Sequence, residues 1–186
     1  MNTQNSQNIK MSENIIIVDA DYIDKVAFNL IVNFERMLNR KIPAADFSQW
    51  IVDVALDGRL KPGNHETQVV LLHDKNKATL ENFVPSDFQR GLDKQAFADE
   101  KLGEFIINTI ATGSALAEKD DVLLDVLRIA LSHDEVHRIM LVPNAEEGNI
   151  CSVIRNTVKD VDDEHKHITL FAMMLSLIHI SEPTRP

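Results

Sequence analysis

Carboxylates are the side chains in this sequence whose placement suggests chemistry. Asp19 and Asp21 follow the uninterrupted apolar run Ile15-Ile-Ile-Val18, with Asp24 one turn further on. Asp120, Asp121 and Asp125 precede or punctuate the apolar-periodic stretch Val122 to Leu131, and Asp121 and Asp125 share a helix face at a spacing of four. Asn144-Ala145-Glu146-Glu147 follows the apolar run Ile139 to Val142. Hard oxygen donors gathered without a Cys or His set suit Mg²⁺ or Mn²⁺. Such an ion orients water and stabilises charge during phosphodiester hydrolysis. The same acids have a second use, because Asp and Glu cap helices and oppose the helix dipole. Asp120 reads as such a cap.

Other reactive side chains form weaker patterns. His133-Asp-Glu-Val-His137 puts two imidazoles four apart, but the zinc-protease helix has Glu directly after its first His, and Asp stands here. His165 and His167 flank a lysine on a polar turn, and Cys151 has no evident His partner, so it reads as a small buried hydrophobe. Arg36, Arg40 and Lys41 form a basic cluster at the end of the first predicted helix, where a substrate phosphate could bind. No Gly-rich phosphate cradle of the Walker or dinucleotide type is present.

These residues need a frame. Asn14 to Asp19 is a short β-branched run of the kind that forms a strand buried on both faces. Ile23, Val26, Leu30, Phe34 and Leu38 recur at helical spacing, Ile42-Pro43 ends that helix, and Asp46 can cap another through Phe47, Trp50, Ile51 and Val54. Turn chemistry at Asp57-Gly58 and Pro62-Gly63-Asn64 leads into a second strand, Thr67 to His73. Pro85-Ser86-Asp87 marks a turn or helix start. Glu104 to Ile110 supplies a third strand, Asp121 to Leu131 a helix, Arg138 to Pro143 a fourth strand, Ile150 to Val158 a helix, and His167 to Met173 a fifth strand. This alternation predicts an α/β fold: a mostly parallel five-stranded sheet with helices on both faces. In such sheets ligands bind outside the carboxyl ends of the strands, where three of the acidic loops fall.

A chain of 186 residues with 44% hydrophobic and 26% charged residues has the size and mixture of one folded domain. Its formal net charge of −10 repels a polyanion at long range and argues against indiscriminate DNA coating. No window reaches the roughly 18 apolar residues of a membrane span. The single cysteine excludes an internal disulfide framework. The polar start, without an apolar signal core, leads us to expect a cytoplasmic protein.

Three stretches together carry a resemblance: IIIVDADYID, EKDDVLLDVLRIAL, and RIMLVPNAEEG followed by a helix and HITLFAM. They resemble the NYN branch of the PIN-like nucleases over roughly residues 14–174, and the whole stretch is also similar to an uncharacterised bacterial family of short proteins. The nuclease resemblance implies a Rossmann-like fold and a ribonuclease dependent on Mg²⁺ or Mn²⁺. On it, Asp19 and Asp121 would hold metal, aided by Asp21 and Asp125, and Glu147 would hold metal or position water, with Glu146 as its substitute. Arg36, Arg40 and Lys41 would then face RNA. The sequence departs from the pattern at Ala145, where the family has an Asp, at Glu147, where it has another, and at Tyr22, where it usually has Asn. Two expectations follow: an RNA-hydrolysing enzyme, or a catalytically inactive interaction or regulatory protein that keeps the frame and takes a protein partner.

The ends read differently. Residues 1–13 are a polar leader without apolar periodicity. Leu175 to Arg185 resembles a translated sequencing adapter, so the natural chain is expected to continue past about Met174, with 175–186 standing outside the domain.

Overall fold

Ile15, Ile16, Ile17 and Val18 are all fully buried, so strand β1 (Asn14–Asp19) can only be an interior strand covered on both faces. Each such side chain removed from water contributes about 1.5–3 kcal/mol, which makes this run the anchor of the fold. The computed structural model describes residues 11–172. The polar leader lies largely, and the adapter-like segment entirely, outside them.

After β1 come helix α1 (Ala20–Leu38), strand β2 (Ala45–Asp46), helix α2 (Phe47–Asp57) and strand β3 (His65–Asp74). Strand β4 (Phe83–Val84), a single wide helical turn at Phe88–Leu92 and strand β5 (Ala96–Asp99) lead to strand β6 (Gly103–Thr112). Helix α3 (Leu116–Ser132), strand β7 (Arg138–Val142), helix α4 (Ile150–Val158) and strand β8 (His167–Leu170) complete the order.

Six strands form the central sheet in the order β5-β6-β3-β1-β7-β8, and β2 pairs with β4 in a separate two-stranded sheet. All pairings in the central sheet are parallel except β5 with β6. The expected α/β class is therefore found, with one strand more than the five read from sequence. Strand β5 escapes notice because Ala-Phe-Ala-Asp is short and half exposed. It is held on the edge by Phe97 stacking on buried Phe105, ring centroids 4.9 Å apart.

Two apolar layers cover the sheet. One joins Ile16 and Val18 to residues of α1 and α2, including Ile23, Phe47 and Ile51. The other joins Ile15 and Ile17 to residues of α3 and α4, including Leu123, Leu127 and Ile154. The alternation of β1 side chains between the layers follows from the two-residue period of a strand. The chain moves from β1 outward through β3 and β6, then returns to the other side of β1 for β7. That reversal places the topological switch point at the carboxyl ends of β1 and β7, where Asp19 and Asn144 stand.

Several sequence expectations match in detail. Asp46 caps α2, accepting from the Gln49 N–H at 3.2 Å, and Asp87 caps the Phe88–Leu92 turn through the N–H groups of Gln89 and Arg90. One boundary differs with consequence. Helix α3 begins at Leu116 with Ala115 as its N-cap, not at Asp121. Asp120 and Asp121 are therefore interior helical residues, and the cap expected at Asp120 is absent. With no side-chain cap available at Ala115, packing of Leu123, Leu127 and Ala130 on the sheet holds the helix in place.

Candidate functional site

Asp19 ends β1 and caps α1. Its Oδ1 accepts from the Tyr22 N–H at 3.1 Å, satisfying a donor that the first helical turn leaves open. Two residues on, Asp21 sits in the first turn of α1, and its Oδ2 accepts from the Asp74 N–H at the end of β3, 2.8 Å away. Both side chains are nearly inaccessible: Asp19 is 0% and Asp21 7% exposed.

Between them lies an ammonium. Lys119 of α3 places Nζ 2.6 Å from Asp21 Oδ2 and 3.2 Å from Asp19 Oδ1. Lys119 is itself buried. Burial alone would lower its pKa, but the charges of Asp19 and Asp21 outweigh that and hold it above the ordinary lysine value. Asp19 is pushed up from the usual carboxylate range by burial, an effect that Lys119 and the Tyr22 N–H only partly offset. One ammonium cannot neutralise every acid here, for Asp120 also faces Asp19.

Asp120 is raised to about 6, first by burial and then by the negative charge of Asp19. Two carboxylate oxygens, Asp19 Oδ2 and Asp120 Oδ1, are buried without a hydrogen-bond partner among the described residues. A carboxyl whose folded pKa lies above its unfolded value of 3.8 resists ionisation in the fold. It therefore costs stability as pH rises from about 4 through about 6, and costs nothing below both values. Asp120→Asn is expected to raise the melting temperature at about pH 8 and to leave it nearly unchanged at about pH 3, below both values. Melting curves at the two pH values check this, and an equal shift at both would remove Asp120 from the electrostatics of the cluster.

The β7 turn contributes differently from what its acids suggest. Asn144 is buried, and its Oδ1 accepts from the N–H groups of both Glu146 and Glu147 at 3.2 Å. That Asx-type turn leaves both glutamates exposed. Glu147 lines a cleft of about 260 Å³ with Asp21, Tyr22, Lys119 and Asn144, whereas Glu146 is not among its walls.

The remaining sequence candidates disperse. Asp121 and Asp125 are exposed, on the face of α3 turned away from Asp19, and Asp125 pairs with Arg128 at 3.5 Å in solvent. The helix acid beside Asp19 is Asp120. Arg36 and Arg40 sit exposed near the far end of α1, and Lys41 lies exposed just beyond it. Arg36 follows Asp21 by 15 residues, roughly 22 Å at the rise of an α-helix. His133 caps α3 at its C-terminal end and bonds the Ile129 carbonyl at 2.8 Å, well apart from the acids. His73, at the end of β3, stacks on Phe88 with centroids 3.8 Å apart and bonds the Asp74 carbonyl, a packing role.

Lys119 and Asn144 were not singled out from the sequence. For Lys119 a signal existed: Leu123 and Leu127 mark the inward face of α3, and counting back four from Leu123 reaches Lys119.

Asp19 and Asp21, two of the acids expected to hold Mg²⁺ or Mn²⁺, already have partners. Asp19 Oδ1 and Asp21 Oδ2 both hold the Lys119 ammonium. Among the described residues, no three or more His, Cys, Asp or Glu side chains are grouped to bind a metal ion.

The sequence matches the family of unknown function DUF6621 over residues 8–178. The chain belongs to that family. Neither curated proteins nor solved structures give a match. Membership in DUF6621 thus carries no activity with it, and the site must be read from its own chemistry. Among the described residues, no helix is long and apolar enough to cross a membrane.

Proposed function

We propose that this DUF6621 chain is a non-catalytic interaction or regulatory protein that keeps a PIN-like frame and does not hydrolyse RNA. The observation that supports this reading is the Lys119 ammonium lodged between Asp19 and Asp21. A hydrolytic site needs carboxylates free to hold metal or to take a proton from water. Here Asp19 is bonded to Tyr22 and Lys119, and Asp21 to Asp74 and Lys119. The turn after β7 offers Ala145 and two exposed glutamates, and catalysis tolerates misplacement of only about 1 Å. The role left to such a protein is recognition of a partner by its surface.

The competing reading, a metal-dependent ribonuclease, draws on Asp19 Oδ2 and Asp120 Oδ1, two buried oxygens with no hydrogen-bond partner among the described residues. A cleavage assay separates the two. Single-stranded and hairpin RNAs incubated with the purified chain in millimolar Mg²⁺ or Mn²⁺ are expected to stay intact. Cleavage that disappears in Asp19→Asn would overturn the proposal.

A further inference from the structure

The apolar packing of α3 does not by itself call for a lysine at position 119. Helix α3 packs through Leu123, Leu127 and Ala130, and an apolar residue one turn earlier would extend that seam. Instead a long side chain carries its charge into the switch point, where it ends 2.6 and 3.2 Å from two buried carboxylates. Burying an ammonium is unfavourable unless anions compensate it, and burying Asp19 and Asp21 without a cation is equally unfavourable. Lys119 and the two acids therefore form one electrostatic unit.

We infer that Lys119 is a tethered cation standing where a divalent ion would otherwise be held, and that its charge keeps metal out. This rests on the reading that the natural chain takes no metal. Asp19, Asp21 and Asp120 carry three negative charges at full ionisation against the single charge of Lys119. Asp19 Oδ2 has no hydrogen-bond partner among the described residues although Asp19 is fully buried. With the ammonium gone, Asp19 and Asp21 present two converging oxygens to the vacated position. Two carboxylates with several retained waters are enough for a small divalent cation, though not for tight binding. While the ammonium is present, a divalent ion must displace a cation that cannot diffuse away, because it is covalently part of α3.

The test uses Mn²⁺ alone as probe on the full chain, on Lys119→Gln, on Lys119→Arg and on the double variant Lys119→Gln with Asp19→Asn. Calorimetric titration and melting curves are read for each. The natural chain and Lys119→Arg are expected to show no saturable Mn²⁺ binding. Lys119→Gln is expected to bind one Mn²⁺ and to melt roughly 5 °C or more higher with metal at about a hundredfold its dissociation constant. The double variant is expected to lose both effects. If Lys119→Gln does not fold without metal, its refolding by dilution is compared with and without Mn²⁺, and recovery only with metal gives the same support. A folded Lys119→Gln that ignores Mn²⁺, or an unfolded one that metal does not recover, overturns the inference while leaving the proposed function standing. Saturable Mn²⁺ binding to the natural chain that is lost in Asp19→Asn overturns the proposed function itself.

Discussion

Replacing Lys119 with Met is expected to lower the free energy of unfolding by about 3–5 kcal/mol near neutral pH. Met keeps the length and apolar character of the lysine stem, so the change isolates the charge. What it leaves behind is two carboxylates, 0% and 7% exposed, that face each other without a cation. Removing one partner of a buried pair costs more than the pair contributes, because the survivor stays desolvated. The loss should shrink as pH falls. Asp19 already has its pKa raised by burial, so it takes up a proton readily and no longer needs a counter-charge. Urea unfolding of the two proteins at neutral and acidic pH measures both effects. A loss below about 1 kcal/mol at neutral pH would place the pair among inconsequential ion pairs of the surface type.

Gly103→Ala is expected to cost about 4 kcal/mol, combining backbone strain with overpacking. Gly103 opens β6 with φ of +94°, a conformation that L side chains rarely adopt. A Cβ there would overlap the carbonyl oxygen of His65 and crowd its nitrogen. Both are backbone atoms of the neighbouring strand, and no flexible side chain can yield. The pairing of His65 with Gly103 starts a ladder that runs to Asp74 and Thr112, at the edge where the acids gather. The expected result is a lower urea midpoint with an unchanged denaturant slope. A midpoint within error of the natural chain would show that β3 and β6 separate at their start without penalty.

The frame was legible because its strands are loud in sequence. Ile15 to Val18, Val69 to Leu72 and Ile139 to Val142 are continuous apolar runs, and each became a parallel interior strand. Edge elements were quieter. Ala96–Asp99 shows little more than one aromatic, and the two-residue strands β2 and β4 are too short for any periodic signal.

Only part of the site could be read from the sequence. Asp19 and Asp21 follow from the end of β1, since an acid directly after a buried strand lands at the carboxyl edge of the sheet. The α3 acid was placed one residue off because the start of the helix was set at the acids themselves, not at Leu116. A shift of one residue turns a helical side chain by about 100°, enough to carry Asp121 into solvent and bring Asp120 beside Asp19. Lys119 was passed over for a simpler reason. A lysine beside two aspartates normally marks a solvated face, and only the tertiary fold brings it to Asp19, 100 residues away in the chain. The basic cluster Arg36, Arg40 and Lys41 was correctly placed at the end of α1, but that end points away from the acids because Asp19 caps the opposite end of the helix.

A double-mutant cycle tests most directly whether one internal charge governs this site. Unfolding free energies are measured for the natural chain, Lys119→Met, Asp19→Asn and the variant carrying both changes. The expected result is strong coupling: the double variant is less destabilised than the sum of the single changes by about 2 kcal/mol, because each removal relieves the group the other leaves unpaired. Additivity within about 0.5 kcal/mol would mean that Lys119 and Asp19 do not depend on each other, and the picture of a self-neutralised site would have to be abandoned.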